Sequence, residues 1–216
     1  MPTAPAPLVF VVDDNPSVRK SLSRLLGSAG YAVETFASAR EFLARAPSAG
    51  PCCLVLDVRM PGLTGLEMQE ALAAAGRQVS IVFVTGHVDV RASVKAMRAG
   101  AVDLLTKPVD QDELLAAVER AVTKDTAHRS EAVRIAEIRQ RVKTLTARET
   151  QVFALVVTGM LNKQIAGELG IGEKTIKVHR ARVMEKMRAT SVAELVRLAD
   201  ALGVVVGTRA STPPVP

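Results

Sequence analysis

Five short apolar runs, each followed by a helical pattern, set the tightest limit on what this chain can fold into. The runs are LVFVV (Leu8–Val12), AVETF (Ala32–Phe36), CLVL (Cys53–Leu56), SIVFV (Ser80–Val84) and VDLL (Val102–Leu105), all in the first half of the 216 residues. Runs this short are strands, and strands that alternate with helices form a parallel sheet covered on both faces. Right-handed crossovers then give an open, doubly wound α/β domain with five strands. In such a fold the ligand site lies outside the carboxyl ends of the strands, near the point where the strand order reverses.

The punctuation agrees with this reading. Asn15 followed by Pro16 is an N-cap with proline at the first helical position, and Gly30 ends that helix. Ser38 with Glu41, Thr64 with Glu67, and Asp110 with Glu113 have the spacing of capping boxes. A further helix is expected from about Asp89 to Ala99, stopping at Gly100.

Four of the five strand ends carry a polar group. Asp13 and Asp14 follow the first run, Asp57 the third, Thr85 the fourth, and Lys107–Pro108 the fifth. The fold brings these groups to one edge. Three carboxylates in a small space repel one another, and a hard divalent cation with oxygen ligands relieves the repulsion; Mg²⁺ suits a site that also handles phosphate. A carboxylate can also act as a nucleophile and become an aspartyl phosphate. That chemistry needs in-line positioning and positive charge on the phosphoryl oxygens, which Mg²⁺ and Lys107 would supply, with a hydrogen bond from the Thr85 hydroxyl. Each acid alone is an ordinary loop residue or cap. Four such signals at four strand ends are not.

VVDDNP, VLDVRMPG, VTGH and GAVDLLTKPV, in this order and spacing, resemble the receiver domain of two-component response regulators, whose fold is flavodoxin-like. The resemblance covers residues 8–122. It implies that Asp57 accepts phosphate from a cognate sensor histidine kinase. It also implies that Asp13, Asp14 and Asp57 hold Mg²⁺ with the Arg59 backbone carbonyl, that Thr85 and Lys107 contact the phosphoryl group, and that the Lys107–Pro108 bond is cis. Receivers often carry an aromatic residue three before this lysine, which turns inward on activation. Here the position is Leu104, so the switch pair is Thr85 and Leu104, with altered packing expected. His87 reads as a loop residue.

Charge separates the two halves. Residues 1–122 hold 12 Lys/Arg against 13 Asp/Glu, and residues 123–216 hold 16 against 9, within a formal net charge of +6. A nearly neutral half joined to a basic half points to two domains, the second meeting nucleic acid. Residues 123–144 lack Gly and Pro and read as a helical linker, too short for sustained heptads. From Thr146 the period is helical throughout. Thr146 with Glu149 and Ser191 with Glu194 are further caps, and Asn162 is the expected N-cap of NKQIAGELG.

After the turn LGIGE comes a basic helix, Ile176 to Met187, with Ile176, Val183 and Met187 as its packing stripe. Lys174, Lys177, Val178, Ala181, Arg182 and Glu185 face outward, and His179 and Arg180 lie at the margins. This is the layout of a helix-turn-helix whose second helix enters the major groove. LTARE, NKQIAGELGI and TIKVHR in series are similar to the LuxR-type helix-turn-helix of the NarL/FixJ family, a small all-α domain of four helices over residues 145–206. The resemblance makes Lys177, Val178 and Ala181 groove-facing, and Lys174, Thr175, Arg180 and Arg182 phosphate contacts. His179 reads as a packing residue with a hydrogen-bonding edge.

The expected protein is a transcriptional regulator switched by phosphorylation. Its partners are the kinase, duplex promoter DNA, RNA polymerase and, once phosphorylated, a second copy of itself. Slow self-phosphorylation and self-dephosphorylation are the only enzyme activities expected. An aspartyl-phosphate phosphatase would need a second acid two residues after Asp57, where Arg59 stands. No apolar run reaches the roughly 20 residues that span a bilayer. The opening MPTAPAPLVF lacks a basic n-region. Residues 1–7 and 207–216 read as disordered, the adjacent Cys52 and Cys53 as buried free thiols, and the chain as cytoplasmic without membrane contact.

Overall fold

A computed structural model of the chain describes residues 6–86 and 89–203. The expectations for residues 1–5, His87, the domain end at 204–206 and the tail at 207–216 lie outside them. Two compact units are present, Met1–Ser130 and Glu131–Pro216.

The first unit holds the strands β1 (Leu8–Val12), β2 (Ala32–Phe36), β3 (Cys52–Asp57), β4 (Ser80–Thr85) and β5 (Asp103–Thr106). They form one parallel sheet in the order β2-β1-β3-β4-β5. Between them run α1 (Pro16–Ser28), α2 (Ala39–Ala44), α3 (Gly65–Ala74) and α4 (Val90–Arg98). The sheet is apolar on both faces because alternate residues serve opposite layers. Phe10, Leu54, Leu56 and Phe83 pack with Phe42 of α2, Met68 and Leu72 of α3, and Ala96 of α4. Val9, Val11, Cys53, Val55 and Val82 pack with Leu22 and Leu26 of α1 and with Leu114, Ala117 and Val118 further along the chain. Emptying one of these positions, as in Leu56→Ala, costs about 2–5 kcal/mol. Cys52 and Cys53 are free and buried, and burial raises both thiols above their ordinary value.

The caps mostly form as their spacing predicts. The Asn15 side chain accepts from the Ser17 and Val18 amides, and Thr64 with Glu67 closes a full capping box. Ser38 accepts from the Glu41 amide, but the Glu41 carboxylate reaches back one residue further, to the Ala37 amide at 2.8 Å. Asp110 accepts from the Asp112 and Glu113 amides and starts α5 (Gln111–Lys143), a helix of 33 residues. The fifth helix and the linker segment are therefore one continuous element, since no Gly or Pro interrupts it.

The second unit contains the end of α5, then α6 (Ala147–Val157), α7 (Asn162–Leu169), α8 (Glu173–Met187) and α9 (Val192–Ala201). Ile138, Val152, Phe153, Ile165, Ile176, Val183, Met187 and Leu195 form its core. Asn162 does not cap α7. The cap residue is Leu161, and the Gln164 side chain accepts from its amide at 2.8 Å. Asn162 is instead the first helical residue, and its Oδ1 accepts from Arg180 Nη1 of α8 at 2.9 Å. Gly170, in the left-handed region at φ 64°, ends α7 and turns the chain towards α8. No helix among the described residues is long and apolar enough to cross a membrane.

Candidate functional site

The strand order reverses between β1 and β3, which are neighbours in the sheet, and their carboxyl ends carry the acids. Asp57 is the last residue of β3, and Asp13 is the first after β1. Both are buried, at 7 % and 1 % exposure, whereas Asp14 beside them is exposed. One carboxylate oxygen from each of the three lies within 4.8 Å of the others. Burying charge at this density requires compensation, and Lys107 supplies it from the far side of the sheet. Its Nζ donates to Asp13 Oδ2 at 2.6 Å and to Asp57 Oδ2 at 2.5 Å. Burial of the ammonium opposes its charge. The two carboxylates outweigh that and raise Lys107 above its ordinary value, so it is protonated at neutral pH.

Backbone hydrogen bonds place the remaining groups. Asp57 pairs with Val84 across the β3–β4 ladder, which leaves Thr85, also buried, at the next position on β4. The Lys107 amide donates to the Thr85 carbonyl at 2.8 Å, at a cis Lys107–Pro108 peptide. The Arg59 amide donates to Asp57 Oδ1 at 3.0 Å, and the Asn15 amide to Asp13 Oδ1 at 2.8 Å. Leu104 is half-buried against the α2–α4 side of the core. Asp13, Asp14, Asp57, Thr85 and Lys107 are thus brought together, with the Arg59 backbone beside Asp57.

Two contributors escape a reading of the sequence. Gly65 opens α3 so close to β3 that a Cβ there would stand 2.3 Å from the Asp57 carbonyl oxygen. Its amide donates to the Val58 carbonyl at 3.0 Å. A glycine at the first position of a helix, where alanine is the better helix former, is the sequence signal of such a close approach. Arg19 donates to the Asp13 carbonyl at 2.6 Å and steadies the β1–α1 turn. Nothing in its local pattern marks that role.

The acidic cluster fits a hard divalent cation. Its donors are all oxygen, and three carboxylates face a single ammonium, which leaves negative charge over. Asp14 forms no ion pair among the described residues and opens the cluster to solvent.

In the second unit, α7, a tight turn and α8 form a helix-turn-helix. Lys174, Thr175, Lys177, Val178, Ala181 and Arg182 are all exposed on α8, while Ile176, Val183 and Met187 are buried. Val178 is 47 % exposed, a large apolar side chain left in solvent on a basic helix. Arg180 is half-buried, its guanidinium engaged with Asn162. His179 is also half-buried, and its buried Nδ1 has no hydrogen-bond partner among the described residues.

A profile of response regulator receiver domains matches residues 9–119, and one of bacterial regulatory proteins of the luxR family matches residues 143–199. The chain is 46 % identical over 197 residues to nodulation protein W of Bradyrhizobium diazoefficiens, covering 91 % of this chain and 87 % of that protein. It is 44 % identical to the transcriptional regulatory protein FixJ of the same organism, over 91 % and 96 % of the two chains. It is 43 % identical to the response regulator TodT of Pseudomonas putida, over 91 % and 87 %. Among solved structures, the response regulator StyR superposes with a TM-score of 0.78 at 47 % identity, over 90 % of this chain and 98 % of that one. An acidic cluster bridged by lysine at the switch point and a basic helix-turn-helix agree with what these relatives are: the chain belongs to the two-component response regulators of the NarL/FixJ family, transcription regulators that join a receiver domain to a LuxR-type DNA-binding domain.

Proposed function

We propose that Asp57 is the phosphoacceptor and that its phosphorylation controls dimerisation and promoter binding. The observation that carries this reading is the position of Lys107 Nζ between Asp13 and Asp57. A phosphoryl group arriving from a histidine kinase is attacked by a carboxylate oxygen of Asp57. The bond from phosphorus to the donor's imidazole nitrogen breaks, and that nitrogen recovers its electron pair. Lys107 then shifts from the carboxylate to a phosphoryl oxygen, and the Thr85 hydroxyl donates to another. Asp13, Asp14 and Asp57, with the Arg59 carbonyl, would hold Mg²⁺, which neutralises charge on the phosphoryl oxygens. Attack by water on phosphorus later releases inorganic phosphate and restores the free carboxylate; this turnover and slow self-phosphorylation from small phosphodonors are the only catalysis assigned to the chain.

The functional division follows the sequence reading. Residues 8–122 receive the phosphate, 123–144 link, and 145–206 bind DNA. Phosphate biases the receiver between two states through Thr85 and Leu104. Val90, Val94 and Met97 on α4 are 72 %, 45 % and 45 % exposed, which supports the α4 face as the surface for a second copy. Two recognition helices then meet paired half-sites in cytoplasmic promoter DNA. There Lys177, Val178 and Ala181 face the groove, and Lys174, Thr175, Arg180 and Arg182 contact phosphates, for recruitment of RNA polymerase. Treatment with a small acyl phosphate tests the switch. The native chain dimerises and gains affinity for its operator, and Asp57→Asn does neither. Equal responses from both would overturn the proposal.

A further inference from the structure

The first unit contains a second polar concavity, at the edge of the sheet away from Asp57. It is a cavity of about 240 Å³ between the end of α3, the start of β4, the end of α4 and the part of α5 within the first unit. Arg77, Lys124 and His128 line it, and among the described residues no acidic side chain does. Neither Arg77 nor Lys124 has an ion-pair partner among the described residues. Each spends one donor on a backbone carbonyl: Arg77 Nη1 on Leu43 at 3.0 Å, and Lys124 Nζ on Gly100 at 3.1 Å. The Arg77 guanidinium also lies over the Phe42 ring at 5.4 Å to its centroid, which leaves its remaining N–H edges for a ligand, and two ammonium donors of Lys124 remain. The walls mix two characters. Leu72, Val79 and Ile81 are apolar, while the largely buried residues Ser80 and Gln69 are polar, and Gln69 Nε2 donates to the Ala96 and Ala99 carbonyls at 3.3 Å.

A structural explanation covers part of this. Leu43 and Gly100 lie at the carboxyl ends of α2 and α4, where cations offset the helix dipole. It accounts for one donor on each side chain. It does not account for both cations lining one cavity whose deeper wall is apolar. The same helix ends restrict the ligand. Each carries a partial negative charge of about half a unit, so a doubly charged anion is opposed more strongly than a singly charged one. The volume lies just below the roughly 300–1,000 Å³ of drug-sized sites, which suits a small ligand.

We propose that this cavity binds a small organic monocarboxylate. The carboxylate sits between Arg77 and Lys124, and a compact apolar body lies against Leu72 and Ile81. Arg77 offers a planar fork suited to a carboxylate, and Lys124 a point charge. Such a ligand would touch Ser80 and Gly100, beside the ends of β4 and α4 remote from Thr85, so its occupancy can be read independently of phosphate on Asp57.

The test uses the full-length chain at fixed ionic strength, titrated separately with benzoate, acetate and inorganic phosphate while the amide resonances of Ser80, Ala99 and Gly100 are followed. Benzoate should shift these resonances saturably. Acetate, which keeps the charge but lacks the apolar body, should bind more weakly, and phosphate more weakly than benzoate. Lys124→Gln should weaken benzoate about tenfold or more, the loss expected for one charge-assisted hydrogen bond, and Lys124→Arg should restore most of it. Phosphorylation of Asp57 in Lys124→Gln should remain native, which separates this outcome from a failure of the phosphoacceptor assignment or of folding. The proposal fails if benzoate causes no saturable shift, if Lys124→Gln binds with native affinity, or if phosphate binds more tightly than benzoate.

Discussion

Asp57 is a charge at the end of a fully buried strand, and its surroundings explain how the fold tolerates it. Lys107 faces one carboxylate oxygen, the Arg59 amide faces the other, and the Thr64 cap leads the chain straight into α3. Gly65 is what allows α3 to start so near. Gly65→Ala would force the Asp57 carbonyl or the helix start to move, because no Cβ fits at 2.3 Å from an oxygen. We expect the variant to remain folded and its phosphorylation by a small acyl phosphate to slow by about 10²-fold, as for a reacting group misplaced by about 1 Å. Rapid-quench measurement of phosphoprotein formation decides this, and a native rate would show that the contact is relieved elsewhere. At this scale the sequence reveals the identity and order of the reactive groups. It conceals Gly65 and Arg19, whose effects arise from contact with backbone eight and six residues away.

Among the elements, α6 and α8 are joined by a polar contact within the second unit. Glu149 belongs to the capping box of α6, and its carboxylate also accepts from Lys186 Nζ of α8 at 2.6 Å. Lys186 donates as well to the Thr144 carbonyl at 3.0 Å. The hydrogen bond from Lys186, helped by the Thr146 amide, pulls the Glu149 carboxyl from an ordinary 4.5 down to about 2. A carboxyl depressed in the folded state stabilises the fold above its unfolded value and loses that contribution as pH falls towards its folded value. The DNA-binding unit should therefore lose stability between pH 4.5 and about 2. Glu149→Gln should be less stable at neutral pH and show a shallower decline across that window. Thermal unfolding of both proteins as a function of pH measures the difference, and parallel profiles would exclude the role.

On α8, Arg182→Ala should weaken operator binding and reduce the slope of log affinity against log salt by about 1, the signature of one lost phosphate neutralisation. Binding at several salt concentrations checks it, and an unchanged slope would remove Arg182 from the phosphate contacts. The capping boxes and the exposed basic face of α8 are legible from spacing alone. The Glu149–Lys186 contact is not, because it joins residues 37 apart.

For the molecule as a whole, the proposed switch requires a surface on the receiver that pairs with a second copy. The exposed Val90, Val94 and Met97 form an apolar strip on α4, whose buried Ala96 faces the core. Val94→Asp should leave phosphorylation of Asp57 intact and abolish phosphate-dependent dimerisation, with operator affinity falling to the level of the unphosphorylated chain. Light scattering of the phosphorylated variant is the measurement, and a dimer of native stability would place the interface elsewhere. The sequence by itself determined the two-part architecture. The apolar periods of the strands and helices, the caps between them and the uneven charge are local patterns, and a strand–helix alternation admits few folds. Only the tertiary structure decided which distant groups meet: Lys107 with both Asp13 and Asp57, the Asp57 carbonyl with Gly65, Asn162 with Arg180 rather than with its own helix end, and Arg77 with Lys124 around one cavity. The reason is physical. Periodicity records which face of an element is buried, whereas the pairing of polar groups depends on how buried faces dock, and charges in low dielectric are held only where docking brings them a partner.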